Sequence, residues 1–182
     1  MIIALTGTPG TGKTSVANIL RENNLEVIDL NKFAIESGFV IDKDNKRKSN
    51  IVDVKGLNKH IETKYKNTNL VFIEGHLSHL LTSADKVIIL RCHPKILKHN
   101  LSKRNWSEKK IKENIEAEIL DIILCESLEV HGKENNFEIN TSEKSLQEIA
   151  SEIIKMISDR FKNMKKYKIG KIDWSEEILK DF

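Results

Sequence analysis

At 182 residues, with 39% hydrophobic and 31% charged side chains, the chain is sized for one soluble globular domain with a full core, which excludes two folding units and extended disorder. It carries no apolar run near the ~20 residues of a membrane span, and it opens on a strand-like segment instead of a leader, so no membrane role and a cytoplasmic location are expected. A net charge of +3 is small for a protein that grips nucleic acid over a broad face, and DNA is not an expected partner.

The predicted elements alternate in the manner of βαβ units. A strand over 2–6 is followed by a helix over 13–23, a strand over 25–29, a helix over 31–37 and a helix over 54–66. Between Phe39 and Val52, Phe39-Val40-Ile41 leads into the polar turn Asp42-Lys43-Asp44-Asn45 and a basic stretch, the pattern of a small hairpin or flap. Strands over 70–74 and 86–91 come next, then a helix over 94–104 opened by Pro94 and one over 107–128 capped by Ser107. Ile111, Ile115, Ile119, Ile122 and Ile123 are spaced to form one buried stripe on that helix. A strand over 137–140 and a helix over 143–162 complete a five-stranded parallel sheet flanked by helices. Cys92 and Cys125 lack the spacing of a zinc knuckle or a redox pair and read as reduced core thiols. Beyond 161 the chain turns lysine-rich (Lys162, Lys165, Lys166, Lys168, Lys171), a solvated linker or a contact surface for RNA or an acidic partner. It then runs to Trp174 and Leu179, a tail whose tryptophan favours docking on the domain or on a partner.

The chemistry is concentrated after the first strand. Gly7-Thr8-Pro9-Gly10-Thr11-Gly12-Lys13-Thr14 fits G-x-x-x-x-G-K-[ST] at every fixed position, between a strand and a helix as its mechanics require. Backbone N–H groups of Gly10, Thr11, Gly12 and Lys13, continuing to Thr14 and Ser15, would converge on phosphate oxygens at the positive end of the helix. Lys13 would reach the outer phosphates, and the Thr14 hydroxyl would bind Mg²⁺, with ATP as the co-substrate. A GTP-reading Asn-Lys-x-Asp is lacking, since Asn31-Lys32-Phe33-Ala34 has no Asp and comes too early. Glu74 ends the third strand at the carboxyl edge of the sheet, where it is the candidate to hold the Mg²⁺ through its water shell. His76 is placed to orient a water or a phosphate oxygen beside it, whereas His79 reads as a surface or packing residue. Arg104, in the stretch about 100–112, is the candidate cation of a lid that closes over the phosphates. The segment about 31–66 would hold the acceptor, with Asp29, Lys32 and Asp53 as possible wall residues, each of which also suits a cap or a solvent group.

Assembled, these segments resemble the adenylate kinase isoenzyme 6 family, the P-loop ATPases also called coilin-interacting nuclear ATPases. The resemblance rests on the phosphate loop, on Asp29-Leu30, Ile51-Val52-Asp53 and Glu74-Gly75-His76-Leu77-Ser78-His79-Leu80, and on the run from Arg91-Cys92-His93-Pro94 through Arg104-Asn105-Trp106-Ser107 to Asp121. Gly170-Lys171-Ile172-Asp173-Trp174-Ser175 resembles its archaeal members. The resemblance implies a nucleoside-monophosphate-kinase-like α/β fold over 1–161 with acceptor and lid insertions, followed by a tail over 162–182. It further implies transfer of the γ-phosphoryl of Mg·ATP to AMP, ATPase activity, an activity-linked role for His76, and a part in small ribosomal subunit maturation with a ribosomal protein and rRNA as partners. One departure is Asn100, where adenylate kinases commonly carry the first arginine of Arg-Leu-x-x-Arg. An arginine stacked on adenine is not supplied from that position.

Overall fold

In the computed structural model, which describes residues 1–44 and 49–178, the opening apolar run forms β1 (Ile2–Gly7), buried along its whole length. The chain continues through α1 (Lys13–Glu22), β2 (Val27–Asp29), α2 (Leu30–Glu36), an antiparallel pair β3 (Val40–Asp44) and β4 (Ser49–Val52), α3 (Val54–Tyr65) and β5 (Val71–Glu74). It then runs through β6 (Lys86–Arg91), α4 (Pro94–Ser102), α5 (Glu108–Ile119), α6 (Ile122–His131), β7 (Asn136–Asn140) and α7 (Leu146–Ser158). Among the described residues five strands pair in parallel in the order β2-β5-β1-β6-β7.

A parallel strand covered on both faces is apolar throughout, which is why β1 and β6 read as continuous runs instead of alternating. Ile3 and Leu5 meet Val16, Ala17 and Leu20 of α1 and Ile149, Ile153 and Met156 of α7 on one side of the sheet. Ile2 and Ala4 meet Phe33 of α2, Leu57 and Ile61 of α3 and Leu124 of α6 on the other. From β1 the chain crosses toward β2, and from β6 it crosses the opposite way toward β7. That reversal opens a crevice at the carboxyl ends of β1 and β6, the place where open α/β sheets bind ligands.

Several elements differ from the sequence expectation, each for a tertiary reason. The helix expected over 107–128 is two: Asp121 takes a left-handed conformation at φ 55° and turns its carboxylate to the buried Arg91. The break divides the isoleucine stripe. Ile115 and Ile119 stay in a cluster with Leu97 and Leu101, Ile123 packs on the α3 side of the sheet, and Ile122 is exposed. Asp42–Asp44 belong to β3 instead of a turn, and the basic stretch at 46–48 lies outside the described residues. Cys92 is buried as expected, but Cys125 is exposed on α6. α7 ends at Ser158, because Arg160 and Phe161 adopt positive φ.

The lysine-rich stretch is packed against the sheet instead of forming a solvated linker. Met164 is buried, Lys165–Tyr167 form a 3₁₀ turn, and Lys168 bridges Phe137, covering the outer edge of β7. Lys166 pairs with Glu152 at 2.6 Å. Trp174 seats against the cluster of Leu97, Leu101, Ile115 and Ile119, edge-on to His93 at 5.1 Å, so the tryptophan docks on this chain; Leu179 lies outside the described residues.

Candidate active site

The loop between β1 and α1 exists because two glycines permit it. Gly7 has φ 139°, and a Cβ there would stand 2.3 Å from the Leu90 carbonyl oxygen; Gly12, at φ 95°, turns the chain directly into α1. Gly12 offers no side chain to cap that helix, whereas α2, α3, α5 and α7 are capped by Asp29, Asp53, Ser107 and Ser145. The first-turn N–H groups of α1 are therefore left for a ligand, at the positive end of the helix dipole. Of the loop amides expected to reach phosphate, that of Thr11 is already engaged: it donates to the Thr8 carbonyl at 3.2 Å within the loop.

Lys13 is only 7% exposed and lies folded on its own loop, Nζ donating to the carbonyls of Gly7 at 2.8 Å and Thr8 at 3.1 Å. Burial pushes its ammonium down to about 8, an effect that Glu74 opposes and Arg104 reinforces. Around it opens a cleft of about 820 Å³, toward the upper end of the range for small-molecule sites. Thr14 donates to Glu74 Oε1 at 3.3 Å at its floor, and burial raises the Glu74 carboxyl above the usual range against the pull of Lys13. His76 is open to the cleft, yet the surrounding protein and Lys13 hold its imidazole below the ordinary histidine range, so it is neutral at neutral pH. Arg104 enters from the α4–α5 loop, its guanidinium 5.2 Å from the ring centre of Trp106.

The expected residues thus divide. Gly10, Gly12, Lys13, Thr14, Ser15, Glu74, His76, Arg104 and Asp29 line one cleft. Thr11 is turned inward to the loop, its hydroxyl donating to the Thr8 carbonyl at 2.9 Å. Asp29 accepts from the Lys32 N–H at 2.9 Å as the cap of α2, and its charge is felt by Glu74. Asp53 caps α3 through the Gly56 N–H, and Lys32 pairs with Glu36 on the exposed face of α2; neither lines the cleft.

His79 is buried, not at the surface: its ring lies between Thr6 Oγ1 at 3.1 Å and Glu126 Oε2 at 2.9 Å, and burial holds its pKa down. Leu30, Ala34, Leu57 and Leu81 also line the cleft, a role the sequence does not signal because their apolar character marks only a core. Asn100, noted only as a departure from an arginine, donates through Nδ2 to the Gly10 carbonyl at 3.1 Å, a contact between α4 and the loop that the sequence does not signal.

A family model described as "AAA domain" matches residues 3–121. Among curated relatives, a protein of Archaeoglobus fulgidus named "Putative adenylate kinase" is 44% identical over 98% of this chain and 94% of its own length. A protein of Methanocaldococcus jannaschii with the same name is 39% identical over 98% of this chain and 96% of its own. Among solved structures, shikimate kinase from Bacteroides thetaiotaomicron superposes with a TM-score of 0.59 at 16% identity, over 87% of this chain and 98% of its own, a likeness of fold alone.

Proposed function

This chain belongs to the AAA-domain family and to the archaeal family named "Putative adenylate kinase", and on that premise we propose that it transfers the γ-phosphoryl of ATP to AMP. The observation that carries the proposal is the uncapped amino end of α1 opening, beside Lys13, into a cleft that Arg104 also lines. Phosphoryl transfer asks little covalent chemistry of a protein; it asks for alignment and for positive charge around the moving group.

In the proposed mechanism the first-turn N–H groups of α1 and the loop amides hold the triphosphate. Lys13 swings off the Gly7 and Thr8 carbonyls to meet the outer phosphates, and their negative charge restores its full protonation. Arg104, held against Trp106, closes from the lid side and balances charge on the transferring group while shutting out water. Neutral His76 is a hydrogen-bonding partner for a water or phosphate oxygen, not a cation. A hydroxyl beside one buried carboxylate is a donor set suited to a hard cation completed by substrate phosphates, so Thr14 would ligate Mg²⁺ and Glu74 would hold its water. Held there, the ion would supply positive charge to offset that of the phosphates. The acceptor AMP would lie against Leu30 and, within the 31–66 segment, Ala34 and Leu57.

The resemblance to the isoenzyme 6 type extends the proposal to ATP hydrolysis in the cytoplasm and to a ribosomal protein and rRNA as partners. Trp174, which motivated a partner-binding tail, is engaged by α4 and α5 of this chain, so the kinase role is the better supported. Phosphorus NMR of the protein with Mg·ATP, with and without AMP, separates the two. Formation of two ADP from one ATP and one AMP is expected, beside any phosphate released by hydrolysis; AMP left unconsumed, with only one ADP and one inorganic phosphate formed per ATP, would overturn the kinase assignment.

A further inference from the structure

One side chain that the proposed mechanism does not use joins three distant parts of the chain. Glu118 on α5 is 2% exposed, and Thr8 of the phosphate loop donates to its Oε2 at 2.5 Å. Its Oε1 accepts from Arg91 Nε at 2.8 Å, the Cys92 N–H at 3.0 Å and the Trp174 indole N–H at 3.3 Å. A carboxylate this far from water is tolerated only while its donors stay in place, so each bond raises the cost of disturbing the others. Thr8 is equally committed on its backbone side, where its carbonyl accepts from Thr11 Oγ1, the Thr11 N–H and Lys13 Nζ. When Lys13 leaves that carbonyl for a phosphate, the residue released on one side is the residue Glu118 grips on the other.

We infer that Glu118 is a positioning residue for the phosphate loop and that Trp174 is its outer support, coupling the seating of the carboxy-terminal segment to nucleotide occupancy. The inference rests on the loop being an ATP site. Ordering the loop in advance lowers the cost of binding, so loss of the link weakens ATP binding more than it slows transfer at saturation.

The test uses the full chain labelled with 5-fluorotryptophan, whose two tryptophan resonances in ¹⁹F NMR are assigned with Trp174→Phe. Titrating Mg·ATP is expected to shift the Trp174 resonance saturably. Thr8→Val, which removes only the hydroxyl link, is expected to move that resonance before any nucleotide is added and to weaken Mg·ATP binding about tenfold by calorimetry. Thr8→Ser, which keeps the hydroxyl, is expected to restore both. A Trp174 resonance unmoved at saturating Mg·ATP, or a serine variant no better than the valine one, would overturn the coupling. If wild type binds no Mg·ATP the nucleotide reading itself fails, whereas a nucleotide-free resonance identical in wild type and Thr8→Val refutes the link alone.

Discussion

Lys13 is stored at a cost, and removing it should stabilise the resting protein while ending its activity. Holding its ammonium at about 8 instead of 10.5 costs about 3 kcal/mol at pH 7, at 1.36 kcal/mol per pH unit. Lys13→Met keeps the apolar stem and removes that cost, but gives up two hydrogen bonds to carbonyls worth about 1 kcal/mol each. A net gain of about 1–2 kcal/mol remains, or roughly 3–6 °C in melting temperature for a chain of this size. The sign follows from the depressed value: the native lysine is strained wherever it is charged, fully so below pH 8, and the strain disappears as pH rises through 8 toward 10.5. Thermal melts of wild type and Lys13→Met without nucleotide should therefore favour the variant at pH 7, cross near pH 9 as the penalty falls to about the 2 kcal/mol of lost hydrogen bonds, and favour wild type at pH 10. With saturating Mg·ATP the order should reverse, because only wild type gains fully from ligand binding. A variant no more stable at pH 7, or equally advantaged at both pH values, would refute the strain.

The same titration predicts that ATP binding at pH 8 takes up about half a proton, because bound phosphates return Lys13 to full protonation; calorimetry in buffers of different ionisation heat reads it, and zero uptake contradicts it. Arg104→Ala should lower kcat about 10²-fold or more with a smaller change in KM, and an unchanged kcat would remove Arg104 from the reaction. Arg91 is the sole partner holding Glu118, Glu138 and Asp121 together among the described salt bridges, so Arg91→Met should cost about 3–5 kcal/mol in urea unfolding, and a loss under 1 kcal/mol would refute the ionic centre.

What the sequence made legible was whatever local chemistry dictates. The glycines of the phosphate loop are required by backbone angles that other residues resist, so the motif announced both a turn and a ligand, and the continuous apolar strands announced a doubly covered parallel sheet. What stayed hidden was set by partners far apart in the chain. The helix break at Asp121 answers to Arg91, thirty residues away, and no periodicity in 107–128 records that pull. Asp53 and Lys32 had the residue types of a substrate wall, but a helix cap and an i,i+4 pair claim them first. The lysines beyond 161 carry a solvated composition, while Met164, Tyr167 and Trp174, spaced among them, bind the segment to the sheet edge and to α5.

In the proposed reaction one cleft seats a triphosphate on the amino end of α1 with a nucleoside monophosphate beside it. Calorimetry with two adenosines joined through five phosphates, in the presence of Mg²⁺, tests it most directly. One molecule per chain is expected, bound more tightly than ATP or AMP and displaced by either. Binding no tighter than ATP alone, or undiminished by AMP, would contradict a shared cleft.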